Sequence, residues 1–251
     1  MLHARVIPCL LLRNAGLVKT VKFRNARYVG DPINAVRIFN DKEVDELVIL
    51  DIGARSQAGP DFELLADIAS EAFMPFAYGG GVTTIEQVLR LYALGIEKVI
   101  LNTVAAEMPG FVSEVAALAG SSGVVVSIDV SRNWLGKYSV HTAGGSRDLK
   151  RAPADYAREM EALGAGEILL NSIDRDGTME GYDLDLVRHV CQAVSIPVVA
   201  AGGAANLADL RKGSNAGASG LAAGSMFVFH GKHKAVLITY PEYDVLEDLF
   251  K

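Results

Sequence analysis

A (β/α)8 barrel is the fold that this sequence predicts, because it repeats internally and alternates strands with helices. The stretch IPVVAAGG (residues 196–203) matches MPFAYGGG (residues 74–81) at an offset of 122 positions, and the same offset places VILNT (99–103) on LAAGS (221–225). Each copy combines a short buried strand, a glycine turn, a helix and another buried strand, which is a βαβ unit. Two such halves in 251 residues fit a closed parallel barrel.

We therefore expect a single domain over residues 1–251, made of half-barrels at about 1–120 and 121–251. Half of the residues are hydrophobic, which is enough for a large core. The sequence has no run of 18 apolar residues and no features of an export signal at its N-terminus, which predicts a cytoplasmic protein without a membrane partner. A net charge of −6 argues against a nucleic-acid partner.

Metal or cofactor chemistry has no clear signal in the sequence. Cys9 and Cys191 lie in apolar stretches without metal-ligand spacing around either, so we interpret both as core thiols. His230 and His233 have no third ligand beside them and are interpreted as surface residues. We expect neither a metal ion nor another cofactor.

The individual elements follow from apolar runs, helical spacing and punctuation by glycine and proline. Strands are predicted at 5–12, 46–52, 75–78, 97–103, 123–129, 167–172, 196–201 and 218–225. Helices are predicted at 32–41, 61–72, 84–94, from about 109 onward, and at 152–163, 183–193 and 206–215. After residue 225 the chain departs from the pattern, and we expect extended structure before a short terminal helix at 244–250.

Two glycine-rich strand ends are the first candidates for a binding site. At the C-terminal end of a strand, consecutive glycines let the backbone approach an anion and direct its N–H groups toward it. The alternative is two ordinary turns between strand and helix, but their symmetric positions favour two phosphate cradles. The residues predicted to hold phosphate are Gly80, Gly81, Asn102, Thr103, Gly202, Gly203, Gly224 and Ser225.

Two long polar segments, residues 13–32 and 131–150, follow the first strand of each half. The first is predicted to be a loop in which Lys19 or a neighbour closes over an anionic ligand, with a solvated loop as the alternative. Alternation within the second predicts a hairpin at the barrel mouth. Further polar residues at strand ends are candidates for orienting a ligand or bracing loops: Asp51, Asp174, Asp176 and Gly177.

The motifs IPCL, GDP, DELVILDI, GGG, NT, VVVSID, GAGEILLNSIDRDGT, GYD and AGG occur in this order along the chain. In this respect the chain resembles the cyclase subunit of imidazole glycerol phosphate synthase. The resemblance implies a bisphosphate-type ligand across two phosphate sites and a glutaminase partner on the N-terminal face, whose ammonia crosses the barrel. It also implies a gate of four charged residues at the barrel base: Arg5, Glu46, Lys98 and Glu167.

That family uses two carboxylates on opposite sides of the mouth, one from each half, as its acid–base pair. Laying residues 5–11 on 123–129 places Leu11 on Asp129, so one carboxylate is present and its mate is a leucine. Leucine can neither accept nor donate a proton. Asp129 could be a residual acid–base group or a polar residue that guides ammonia, and Tyr78 is interpreted as a bulky ring in the path of the ligand.

Three functions remain open on these residues. Because the gate is present while one carboxylate is missing, we favour an ammonia-conducting subunit, similar to the glycosyl amidation-associated, WbuZ-type, subgroup of the family. That resemblance implies a sugar amidotransferase as the second partner, which turns an acetamido sugar into an acetamidino sugar of a surface polysaccharide. The alternatives are a true cyclase of histidine biosynthesis, with Asp176 or a loop residue replacing the missing acid, and a sugar-phosphate isomerase.

Overall fold

The computed structural model describes residues 4–54 and 59–251. Its strands are β1 (Arg5–Arg13), β2 (Gly16–Val21), β3 (Arg24–Gly30), β4 (Leu47–Asp51), β5 (Phe76–Gly79), β6 (Lys98–Leu101), β7 (Val124–Arg132), β8 (Tyr138–Thr142), β9 (Arg147–Asp148), β10 (Glu167–Ser172), β11 (Val198–Ala201), β12 (Gly220–Ala223), β13 (Phe229–His230) and β14 (Ala235–Val236). Parallel pairing joins β1, β4, β5, β6, β7, β10, β11 and β12 in that order, and β12 pairs with β1 again. This closed eight-stranded parallel sheet confirms the predicted (β/α)8 barrel.

Helices connect the barrel strands. They are α1 (Pro32–Asp41), α2 (Phe62–Glu71), α3 (Ile85–Ala93), α4 (Thr103–Glu107), α5 (Gly110–Ala119), α6 (Pro153–Ala162), α7 (Leu184–Cys191), α8 (Leu207–Asn215), α9 (Ser225–Val228) and α10 (Tyr243–Phe250). Several begin at a side chain that accepts a hydrogen bond from the first turn, as Asp31, Asp61 and Thr84 do. The predicted helices are confirmed to within one or two residues, but the short helices α4 and α9 were not predicted.

The first polar segment is not a loop. It contains β2 and β3, which extend β1 as an antiparallel hairpin above the barrel. Asn14 and Ala15 turn the chain with φ of 51° and 58°, and Lys22 and Phe23 do so with 51° and 60°. Pairs of positive φ angles are typical of type I′ turns, whose twist suits a hairpin. The prediction of an unstructured loop is therefore wrong.

The second polar segment forms the predicted hairpin, whereas the tail begins with a short helix where extended structure was predicted. β7 continues past the barrel rim and pairs with β8, which pairs in turn with β9, so the predicted hairpin is confirmed. After β12 the chain forms α9 and the short antiparallel pair β13 and β14, followed by α10. No helix within the described residues is long and apolar enough to cross a bilayer.

Two apolar layers lie on the two sides of the barrel wall. Residues that face outward, such as Tyr78, Val130 and Val140, pack with the helices in the larger cluster. A smaller cluster fills the inside of the barrel. Its buried members are Ile7, Cys9, Val48, Ala77, Ile100, Val125, Leu169, Val199, Ala201 and Ala222.

Candidate active site

Strand alternation determines which side chains reach the barrel mouth. Ile7 and Cys9 on β1 face inward, so Leu11 also faces inward at the upper end of that strand. Val125 on β7 faces inward, and the same alternation directs Asp129 inward near the rim. Three strands separate β1 from β7 in either direction around the barrel. Leu11 and Asp129 therefore lie on opposite walls of the mouth.

Asp129 is a buried carboxyl group with a strongly perturbed proton affinity. Asn102 Nδ2 donates to its Oδ2 at 3.2 Å, and Ser127 Oγ donates to its Oδ1 at 3.5 Å. The pKa of Asp129 is raised to about 7, chiefly because burial disfavours the charged form; the charge of Asp176 also raises the pKa, while the bonds from Ser127 and Asn102 lower it. A carboxyl group with a pKa near neutrality can both accept and donate protons, which suits acid–base chemistry.

Asp176 is a second buried carboxylate at the mouth, on the segment between β10 and α7. It is 8% exposed and accepts hydrogen bonds from Thr20 Oγ1 at 2.7 Å and from Phe23 N at 3.1 Å. Its own carbonyl oxygen accepts from Lys22 N at 2.9 Å. Asp176 thus holds the turn between β2 and β3 over the mouth while its charge reaches Asp129.

Lys19 lies within the mouth, on β2, and is only 7% exposed. Its Nζ lies so close to Gly224 that an added Cβ there would be 2.1 Å away. Burial raises the pKa of the Cys9 thiol to about 11, and the charge of Lys19 opposes that rise while Asp176 and Asp129 add to it. The mouth therefore combines one ammonium group with two carboxyl groups beside the second glycine cradle.

Gly177 provides a test of how the hairpin is held. Its φ is 69°, and an added Cβ would lie 2.1 Å from Thr20 O, so Gly177→Ala must displace the hairpin. We expect the free energy of unfolding to fall by about 2–3 kcal/mol. Gly136→Ala is the control, since Gly136 also has a positive φ, 76°, but nothing lies within 4 Å of its Cβ position. If Gly177→Ala and Gly136→Ala lower the free energy of unfolding in urea by the same amount, the contact with Thr20 is unimportant.

The predicted phosphate cradles have backbone conformations that require glycine. The φ angles are 147° at Gly80, 65° at Gly81, 89° at Gly202 and 107° at Gly203. A Cβ at Gly203 would lie 2.2 Å from Gly181 O. Close packing of the backbone therefore accounts for glycine here whether or not an anion binds, so phosphate binding stays a prediction.

Asn102 and Thr103 make their side-chain contacts inside the protein. Asn102 Nδ2 donates to Ser127 O at 2.9 Å as well as to Asp129, and Thr103 Oγ1 accepts from Ala143 N at 3.1 Å. At the other cradle, Gly224 precedes α9, which begins at the buried Ser225. A cavity of about 530 Å³ lies beside α9. Its lining includes Asn206, Met226, Phe229, His230, Lys232 and Lys234.

Asp51 and Asp174 brace loops. Asp51 Oδ1 accepts from Gly53 N at 2.8 Å and from Ala54 N at 2.9 Å, and burial raises the pKa of Asp51 despite these two bonds. Asp174 accepts from Arg132 N at 2.8 Å and so fixes the β7–β8 hairpin. The interpretation of Tyr78 was wrong, because its ring packs in the outer layer against the helices and not in the mouth.

The four predicted gate residues meet at the barrel base in a closed ring of ion pairs. Lys98 Nζ lies 2.8 Å from both Glu46 Oε1 and Glu167 Oε2, and Arg5 bonds both carboxylates from the other side. Glu46 and Glu167 are 4% and 5% exposed. Although burial lowers it, the bonds to Glu167 and Glu46 raise the pKa of Arg5 above its ordinary value. The ring and the mouth are separated by the inner apolar cluster.

His141 belongs to the mouth but was not predicted. Its ring Nε2 lies 2.8 Å from Ser131 Oγ, and its strand β8 pairs with β7 beside Asp129. The sequence contained a signal, namely the alternation in the hairpin segment, but that alternation does not reveal which face points to the mouth. Across residues 4–54 and 59–251, no three His, Cys, Asp or Glu side chains come together as a metal site.

The sequence of this chain matches a family of known proteins. The family model described as "Histidine biosynthesis protein" matches residues 5–234. A protein of Pseudomonas aeruginosa, provisionally named imidazole glycerol phosphate synthase subunit hisF2, is 51% identical over 98% of this chain and 99% of its own length. A protein of Leptospira interrogans, provisionally named subunit HisF of that synthase, is 47% identical over the whole of both chains.

A third relative carries the synthase name without that provision. It is the imidazole glycerol phosphate synthase subunit HisF of Gluconacetobacter diazotrophicus, 41% identical over 91% of this chain and 89% of its own length. Matches of this identity and length leave almost no part of the barrel outside the comparison. The chain belongs to the histidine biosynthesis protein family and is similar to its imidazole glycerol phosphate synthase cyclase subunits.

Proposed function

We propose that this chain is the barrel subunit of a glutamine-dependent synthase of the imidazole glycerol phosphate synthase type. In this proposal a glutaminase subunit binds the N-terminal face of the barrel and releases ammonia into it. The ammonia reacts at the mouth with a phosphorylated ligand held between the two glycine cradles. The observation that carries the proposal is the buried group of Asp129, Asp176 and Lys19 at the mouth.

The mouth has the chemistry that such a reaction needs. A carboxyl group with a pKa of about 7 can transfer protons near neutral pH. The buried Lys19 ammonium beside Gly224 supplies positive charge where a phosphate would lie. The names of the relatives at 41–51% identity support the same reaction class.

The charged residues at the barrel base support the proposal of a glutaminase partner. Isolated buried charges are costly unless they are paired, so a ring of four at the base of an apolar barrel suggests a use beyond closure. Beside Lys98 lies a cavity of about 560 Å³ that opens on the same face and is lined in part by Leu89, Tyr92 and Leu118. Leu89 and Leu118 are 49% and 45% exposed. This face offers a glutaminase subunit apolar contacts next to the gate.

Leu11 favours a second candidate function. With leucine on the wall opposite Asp129, the acid–base pair of the family is incomplete. The chain could instead conduct ammonia to a sugar amidotransferase at the mouth, as its resemblance to the WbuZ-type subgroup implies. The mouth would then hold Asp129 as a polar residue on the exit path, and acetamidino-sugar formation would occur on the partner enzyme.

Turnover with ammonium separates the two candidates. The purified chain, supplied with the histidine-pathway intermediate that an authentic cyclase uses and with ammonium, is expected to form the imidazole product. The measurement is chromatographic detection of that product over time, with an authentic cyclase as the positive control. Absence of product, together with acetamidino-sugar formation only when this chain, a glutaminase and the amidotransferase are combined, would favour the conducting subunit instead.

A further inference from the structure

We propose that His141 is a second proton-transfer residue of the barrel mouth, supplying the acid–base capacity that Leu11 removes from the wall opposite Asp129. The inference deepens the proposed function and depends on it, because a proton-transfer residue requires a reaction at the mouth. It identifies a residue on the hairpin as the replacement for the missing acid, in place of Asp176.

Strand register places His141 on the inner face of the mouth. The antiparallel pairing of β7 with β8 sets His141 directly opposite Asp129, and directly opposed side chains lie on the same face with Cβ atoms about 5 Å apart. The next pair along, Val130 and Val140, packs in the outer layer with the helices. Since Val130 and Val140 face outward, Asp129 and His141 face inward.

The hairpin also brings His141 close to the first glycine cradle. β6 pairs with one edge of β7 only as far as Val126, whereas β10 pairs with the other edge up to Val130. From Asp129 upward, β8 occupies the edge that β6 leaves, so it continues the barrel wall above the end of β6. There Ala143 N donates to Thr103 Oγ1, which joins the hairpin to the cradle residues.

The imidazole of His141 is held in place but is not fully bonded. Its Nε2 contacts Ser131 Oγ at 2.8 Å, which fixes the ring orientation. Its Nδ1 is buried and has no hydrogen-bond partner among the residues that the structure describes. A buried polar atom without a partner is costly, so this nitrogen points to a ligand that supplies the missing bond.

Other ionisable groups around His141 are already engaged. Asp129 on β7 and Asp148 on β9 are the charged groups that face it from the flanking strands. Asp148 accepts from Ser139 Oγ and from Lys150 N, and these bonds lower the pKa of Asp148 below its ordinary value. Asp176 is occupied by the turn between β2 and β3. Asp148 and Asp176 are therefore less available for proton transfer than His141.

An acid–base pair needs two groups whose proton transfers balance. One group takes the proton that leaves the reacting atoms, the other returns a proton to them, and exchange with solvent restores both groups without net consumption. A carboxyl group and an imidazole can each accept and donate a proton, whereas the leucine side chain of Leu11 can do neither. Because His141 lies beside Asp129, the two would carry out both proton transfers from the same wall of the mouth.

The test is His141→Asn in the purified chain, assayed with ammonium and the histidine-pathway intermediate across pH 6–9. Asparagine places an amide at the position of Nδ1 but cannot titrate, so we expect kcat to fall about 100-fold, KM to change less than about threefold, and one limb of the pH profile to disappear. His189→Asn is the control, because His189 is exposed on α7. A kcat within about threefold of wild type, or a rise in KM alone, would overturn the inference, the latter indicating phosphate binding.

Restoring the family's carboxylate gives a second, independent measurement. Leu11→Asp should raise the kcat of the His141→Asn variant at least about tenfold, while changing that of the wild type less than about threefold, because the wild type already has two proton-transfer groups. Equal gains in both backgrounds would show that His141 does not fill the role. Thermal unfolding of each variant identifies any that fail to fold.

If the wild type forms no product, the proposed function fails, and NMR then tests the coupling of His141 to Asp129 on which the inference rests. The imidazole C–H signals of His141, assigned from the His141→Asn variant, are followed from pH 5 to 9. In the wild type we expect a second inflection from the ionisation of the neighbouring Asp129, which disappears in Asp129→Asn. Identical one-step curves in both proteins would overturn the inference.

Discussion

Replacing Asp129 with asparagine should lower ammonium-dependent turnover about 1000-fold, within the range that a general acid–base residue contributes. Asparagine keeps one oxygen that can accept from Asn102 Nδ2, and its amide nitrogen can donate to Ser127 Oγ, so both contacts survive while proton transfer is lost. The measurement is kcat with ammonium at pH 8. A loss below about threefold would remove Asp129 from the chemistry.

The same substitution should make the protein more stable at high pH. Because the pKa of Asp129 is raised in the folded state to about 7, from about 3.9 in an unfolded chain, the folded state retains its proton as pH rises from 4 to 7 while the unfolded state does not. The wild type therefore loses stability through that window, by at most about 4 kcal/mol. Asp129→Asn avoids this loss.

Urea unfolding at two pH values checks the direction of this change in stability. We expect Asp129→Asn to be about 2 kcal/mol more stable than the wild type at pH 8 and nearly equal to it at pH 4. An asparagine variant that is less stable at pH 8 would mean that the ionised carboxylate contributes favourable contacts in the folded protein. A gain in stability with a loss of activity is typical of residues retained for function.

Removing one cation from the ring at the barrel base is expected to have the largest effect on stability. Arg5→Leu leaves Glu46 and Glu167, both nearly inaccessible to solvent, with only Lys98 between them. Breaking a buried network by deleting one partner costs about 3–5 kcal/mol, and we expect about 3 kcal/mol because Arg5 itself is partly exposed. The measurement is the free energy of unfolding in urea at pH 7.5.

An exposed ion pair provides the matched control. Arg37 on α1 bonds Glu71 on α2, and its side chain is 57% exposed. Since solvent and salt screen such a pair, Arg37→Leu should change the unfolding midpoint far less than Arg5→Leu. Equal effects of the two substitutions would show that the ring contributes no more than a surface pair.

Much of the barrel was predictable because buried parallel strands appear as continuous apolar runs with glycine at their ends. The base was predicted from the resemblance to the cyclase subunits, and the residues that it implies stand at or next to the starts of apolar strands: Arg5, Glu46, Lys98 and Glu167. Their arrangement into one ring follows from alternation, which turns all four to the inside. The sequence could not show that each carboxylate would contact two cations.

The residues of the mouth were less predictable, because which side chains reach it depends on the face to which each side chain points and on how the strands pair. Tyr78 was assigned to the wrong side of its strand, since a strand buried on both faces has no polar face to mark its direction. The hairpin of β2 and β3 was missed because its second turn, Lys22 and Phe23, lacks the usual glycine. His141 acquires its place only through pairing with β7, a relation between segments that local patterns do not encode.

Because Arg5 pairs with two carboxylates, the cost of losing it also limits how often its side chain leaves the ring. If losing Arg5 altogether costs about 3 kcal/mol, then rotating its side chain out into water costs no more, because the guanidinium regains hydration that deletion cannot provide. With a cost of at most about 3 kcal/mol, Arg5 is out of the ring in at least about one molecule in 150 at equilibrium. Side-chain rotation is rapid on the scale of enzyme turnover, so Arg5 would leave the ring briefly and often without any movement of the backbone.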